Sequence, residues 1–114
     1  MADYPVIDAD GHIIERGDEL RRYLKSPYDR RGGPLTASEP WDRALYGKLP
    51  WNQGEYPRVP SADDWLRLMD KSEIGAAYLY PTAMGNVSRL REVDYAAALS
   101  TAYNNYVYDK FAKV

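Results

Sequence analysis

The sequence predicts an α/β fold with parallel strands, on three observations. Two short apolar runs, PVIDAD at 5–10 and AAYLYP at 76–81, have the length and bounding residues of strands. Segments of helical periodicity precede and follow the second run. The resulting order is strand, helix, long loop, helix, strand, helix. Such alternation implies parallel strands joined by right-handed crossovers.

Each element has its own signal. Val6 and Ile7 are adjacent apolar positions, as in a strand buried on both faces, and Gly11 closes the run. Asp18 to Leu24 predicts a short helix, capped by Asp18, with Leu20 and Leu24 four apart on one face. From 25 to 60 the composition turns to proline, glycine and isolated aromatics, including GGP at 32–34. This span predicts a long irregular insertion with one helical turn at 41–46. Loops of such length in compact domains are usually functional or disordered, and Trp41 and Trp51 favour ordered packing. SADD at 61–64 offers a serine N-cap with Asp64 at the third helical position, a variant of the capping box. Trp65, Leu68 and Met69 follow at helical spacing, and Gly75 is the expected left-handed C-cap. TAMGN at 82–86 predicts a loop. From about 89 to 113, Leu90, Val93, Ala97, Tyr103 or Asn104, Val107 and Phe111 recur at three and four, predicting a helix.

Composition narrows the function. The chain has 114 residues, enough for one domain or part of one. Eleven tyrosines and a mean hydropathy of −0.63 mean that the core leans on aromatic rings and alanine. Fifteen basic and seventeen acidic residues give a net charge of −2, without the basic excess that nucleic acid or an anionic membrane demands. Without cysteine there is no disulfide frame, thiolate site or thiol nucleophile. MADYPVID has no basic leader or apolar signal region, and no run approaches membrane-spanning length. A cytoplasmic protein is the expectation.

One constellation carries chemistry. In VIDADGHIIE, Asp8, Asp10 and His12 occupy alternate positions, which in a regular strand share one face with Ile7 and Ala9 opposite. Carboxylates are rarely buried unless paired or metal-bound. An imidazole and a carboxylate two residues apart can share a divalent cation, and His12 is the only histidine. The same residues also read as a hydrogen-bonded structural histidine or a solvated loop residue, with Asp8 capping a neighbouring turn.

VIDADGHIIE resembles the first strand of the amidohydrolase-related family, the metal-dependent TIM-barrel branch that includes aminocarboxymuconate semialdehyde decarboxylase. There the strand ends in H-x-H, E-x-H or D-x-H. GAAYLYPTAMGN at 75–86 is similar to the family's second strand and P-T loop, and YAAALSTAYNNYVYDKF at 95–111 to its next helix. The stretches come in the family's order, while 25–60 shows little likeness. The resemblance implies the first two β/α units of a (β/α)8 barrel, an incomplete barrel with a long insertion after its first strand. A whole barrel takes about 250 residues, so the chain, 1–114, reads as an amino-terminal portion.

The resemblance also implies a divalent metal held by Asp10 and His12, with Asp8 beneath them as a supporting group. A carboxylate with one imidazole is a hard donor pair, so Mn2+ stands beside Zn2+. The implied reaction is hydrolysis or non-oxidative decarboxylation of a small carboxylated or cyclic substrate. The family completes its site with a histidine on a middle strand and an aspartate on a late one, and this chain has no second histidine. An isolated chain is therefore expected to be inactive, and a complementary barrel fragment or a second copy is an expected partner. Its rival is a non-catalytic interaction module that docks through open strand edges.

Glu15, Thr82 and Asn86 are candidate substrate-side groups, although Glu15 also suits a loop cap and Asn86 a turn. Trp41, Trp51 and Tyr56 could roof an aromatic pocket or simply pack the insertion. Tyr95, Tyr103 and Tyr106 suggest a helix face against a sheet, and Arg30-Arg31 a solvated pair.

Overall fold

The computed structural model describes residues 4–36 and 60–113. In chain order come β1 (Val6–Ile13), α1 (Gly17–Arg21), a short 3-10 helix (Tyr28–Arg30) and α2 (Ala62–Lys71). β2 (Ile74–Pro81), a second 3-10 helix (Ala83–Arg89) and α3 (Val93–Val107) follow, and a π-helical turn (Tyr108–Ala112) extends α3. The architecture is mixed α/β, with β1 and β2 adjacent and parallel as the alternation predicts. The expected helical turn at 41–46 lies outside the described residues, as do Trp41, Trp51 and Tyr56.

α2 begins where its local chemistry places it. Ser61 Oγ accepts from the Asp64 amide at 3.3 Å, and Asp64 Oδ2 accepts from the Ser61 amide at 2.8 Å. This reciprocal box satisfies two amides that a helix start leaves without partners. The other end departs from expectation. α2 stops at Lys71, the left-handed residue is Glu73 with φ 56°, and Gly75 already belongs to β2. Gly75 packs closely there: an added Cβ would stand 3.0 Å from Pro5 Cβ on the chain entering β1.

α1 is also capped differently from expectation. Its N-cap is Arg16, with no side-chain cap bond, and Asp18 sits in the first turn. There Asp18 takes a two-point ion pair from Arg16, Nε to Oδ1 at 3.2 Å and Nη2 to Oδ2 at 3.0 Å. Leu20 and Leu24 are both buried, as their spacing predicts. TAMGN is the start of the second 3-10 helix rather than open loop.

The buried stripe of α3 is Tyr95, Leu99, Ala102 and Tyr106, while the expected core position Val93 is 76% exposed. The spacing of four, three and four is helical, and its members are two tyrosine rings, one leucine and one alanine. Tyr95 and Tyr106 pack on the segment after α1 instead of against the sheet, while Tyr103 stands near Pro81 at the end of β2. Tyr23 meets Tyr106 edge to face at 5.8 Å, and Tyr28 tilts over Tyr95 at 5.4 Å. The Tyr95 hydroxyl donates to Leu35 O at 2.8 Å. Such buried rings need both a packing surface and a partner for the hydroxyl, and this segment supplies both. Arg31 is no merely solvated residue: its guanidinium lies 4.2 Å from the Tyr95 ring centre and pairs with Glu92 at 2.5 Å. Ile13, Leu20, Leu99 and Met84 join these rings in one core, so the carboxyl end of β1 is anchored in it. Fully burying a leucine such as Leu20 or Leu99 contributes about 1.5–3 kcal/mol.

Candidate functional site

Parallel pairing brings the carboxyl ends of both strands to one edge, with Ile13 opposite Pro81. The chains leaving β1 and β2 therefore emerge side by side, and the candidate residues gather there.

The regular alternation expected for β1 is interrupted. Asp8 lies opposite Ala77 and Gly11 opposite Leu79, three steps on β1 against two on β2. One additional residue in a strand turns every later side chain to the other face. Asp8, Gly11 and Ile13 thus fall on the helix-covered side, where Gly11 and Ile13 are buried. His12 lies opposite Tyr80 on the open side, with the ring centres 6.3 Å apart. Asp8, Asp10 and His12 do not share one face. Asp8 instead supports the irregular backbone, since its Oδ1 accepts from the Asp10 amide at 3.0 Å.

Asp10 and His12 nevertheless converge. Asp10 Oδ1 and His12 Nε2 are 3.6 Å apart, with side chains 92% and 47% exposed. Zinc bonds of about 2.0–2.2 Å in tetrahedral geometry place two donors about 3.4 Å apart, so this pair fits two positions around one ion. Among the described residues, no group of three or more His, Cys, Asp or Glu could hold a metal. The pair is two-thirds of the protein ligands that a catalytic zinc normally takes.

The other ring nitrogen, His12 Nδ1, faces Thr82 Oγ1 at 3.4 Å. Thr82 is thus brought to the imidazole, whereas among the described residues no contact joins Asn86 to it. Glu15 is fully engaged elsewhere. Its Oε1 accepts from the Thr82 amide at 2.9 Å and the Met84 amide at 3.2 Å, and its Oε2 accepts from the Ala83 amide at 2.8 Å. A carboxylate that meets the first turn of a 3-10 helix in this way has little capacity left for substrate, so Glu15 caps the loop after β2.

Two tyrosines belong to this neighbourhood. Tyr80 is placed beside His12 by strand register, which becomes readable only once the bulge is known. Burial, followed by the negative charge of Glu15 and the nearness of Tyr106, pushes the Tyr103 hydroxyl up to about 12.

No family model matches the chain, and no curated protein matches it. The resemblance to the amidohydrolase-related family therefore rests on its three sequence stretches. Among the described residues, no helix is long and apolar enough to cross a membrane.

Proposed function

We propose that the chain is the amino-terminal part of a metal-dependent enzyme of the amidohydrolase-related kind. Asp10 and His12 would be its first-strand ligands, toward Zn2+ or Mn2+. The observation that carries this reading is the 3.6 Å approach of Asp10 Oδ1 to His12 Nε2 beside the carboxyl end of a parallel β/α pair. That is the end of the strands at which TIM-barrel sites lie.

The chemistry a bound divalent ion supplies is polarisation of a substrate carbonyl or activation of water. The chain's own residues hold and orient. Asp8 fixes the Asp10 backbone, Asp10 supplies an exposed carboxylate, and His12 keeps Nδ1 on Thr82 and Nε2 toward Asp10. A small carboxylated or cyclic substrate would approach the open side of the sheet, where Tyr80 is half-exposed.

Isothermal titration with Zn2+ and with Mn2+ tests the reading, on the chain and on Asp10→Ala and His12→Ala. The expected result is weak binding of one ion that both substitutions abolish, without turnover. Identical isotherms for all three proteins would overturn it. Tight stoichiometric binding would refute the view that further ligands lie outside these two units.

A second reading draws on a specific observation. Ile7, Tyr78 and Tyr80 lie on the open side, with Tyr78 61% and Ile7 54% exposed. Such a face suits a complementary barrel fragment or a second copy. Sedimentation separates the two: concentration-dependent association with no metal response favours a non-catalytic module.

A further inference from the structure

We propose that Glu15 is a positioning residue for His12, acting through the backbone of residues 82–84 and the Thr82 hydroxyl. The inference deepens the metal reading, on which it rests for the role of Nε2 as a ligand.

The connection is physical at every link. Glu15 leaves β1 three residues after His12, while the amides it binds leave β2, 67 to 69 residues away in sequence. Its carboxylate therefore ties the outgoing chains of the two strands together. The Thr82 amide is one of the bonded groups, so Thr82 is held at its own backbone and its Cβ is fixed relative to β1. Its hydroxyl then stands 3.4 Å from His12 Nδ1, with Nε2 on the Asp10 side. What the second ring nitrogen meets sets the orientation of a ligating histidine and tunes its affinity. A Glu15 with only a capping role would have no effect on the ring.

His12 is the sole histidine, so a chain labelled with [15N]histidine yields one imidazole spectrum. Two-bond 1H–15N correlation on metal-free protein, at about pH 8.5 where an ordinary imidazole is neutral, reads Nδ1 and Nε2 separately. Thr82→Val removes the hydroxyl and should move the Nδ1 resonance, whereas Thr82→Ser should leave it in place. Glu15→Gln sets an NH2 against one of the bound amides, and should move Nδ1 in the same direction as Thr82→Val. The double variant should move it no further than Thr82→Val alone. An unmoved Nδ1 in a folded Glu15→Gln chain would overturn the proposal. Should that variant fail to fold, Thr82→Val decides alone, because it removes none of the carboxylate–amide bonds; an unchanged Nδ1 there is equally fatal.

Zn2+ titration supplies the second readout. Both Glu15→Gln and Thr82→Val should weaken binding about 10-fold, the lower end for loss of a group that orients a ligand, with Thr82→Ser close to the parent chain. Absence of Zn2+ binding by the parent chain would sink the metal reading, while the Nδ1 response would still uphold the positioning. Unchanged Zn2+ affinity in both variants would overturn the link from Glu15 to the ligand.

Discussion

Gly11→Ala is the substitution whose consequence follows most directly from the packing of β1. Gly11 separates Asp10 from His12, and a Cβ added there would meet Leu79 Cδ2 at 2.8 Å, Tyr78 O at 3.0 Å and Trp65 Cη2 at 3.1 Å. Carbon atoms rest at about 3.5–4.0 Å, so the methyl needs about 0.7 Å more room toward Leu79. Leu79 can rotate away, but the Tyr78 carbonyl belongs to β2, and the Trp65 ring is fixed to α2. Relief therefore requires separation of β1 from β2 or displacement of α2. Overpacking of this kind costs about 1–3 kcal/mol. A chain of 114 residues at about 0.05 kcal/mol per residue has roughly 6 kcal/mol in total, so the loss is a large fraction.

Urea unfolding followed by far-ultraviolet circular dichroism measures it. With a slope of about 2 kcal/mol per molar, the midpoint should fall by about 1 M. Gly17→Ala is the internal control. An added Cβ there meets nothing within 4 Å, at the first residue of α1. That substitution should be neutral or stabilise by up to about 1 kcal/mol. Equal midpoints for Gly11→Ala and the parent chain would refute the packing of Trp65 and β2 against Gly11.

Leu99→Ala should cost about 2–5 kcal/mol, read by the same unfolding assay. The upper part of that range is expected because Leu99 is fully buried within the core cluster. The Tyr103 hydroxyl gives a pH dependence whose sign is set by its upward shift from 10.0 to about 12. Its stabilising contribution is complete below about pH 10 and is lost as pH rises through about 12. Thermal midpoints should fall over that window, and Tyr103→Phe should reduce the fall. Glu15→Gln should lower the Tyr103 value, measured by the ultraviolet absorbance of tyrosinate.

Near neighbours encode much of what was legible in the sequence. The Ser61–Asp64 box needs only four residues, and the helix start follows from them. The apolar runs at 5–10 and 76–81 and the helix before the second strand suffice for parallel pairing, since handedness and short-range connection leave few other arrangements. The approach of Asp10 to His12 was legible as well, since the two stand only two residues apart at a strand end.

Tertiary structure decided the rest. The bulge between Asp8 and Gly11 places Asp8 on the opposite side from His12, and it exists only as an offset against β2. No periodicity within β1 reports it. The capture of the 82–84 amides by Glu15 joins groups 67 to 69 residues apart, and it depends on two parallel strands ending at the same edge. The tyrosines of α3 could have met a sheet or a loop with equal regularity. The rings of Tyr106 and Tyr95 found partners in Tyr23 and Tyr28, and the Tyr95 hydroxyl found one in Leu35 O, contacts that no periodicity within α3 announces. Local propensity and spacing act within a turn or two of chain, whereas strand register and long-range hydrogen bonds depend on which distant groups the fold makes adjacent.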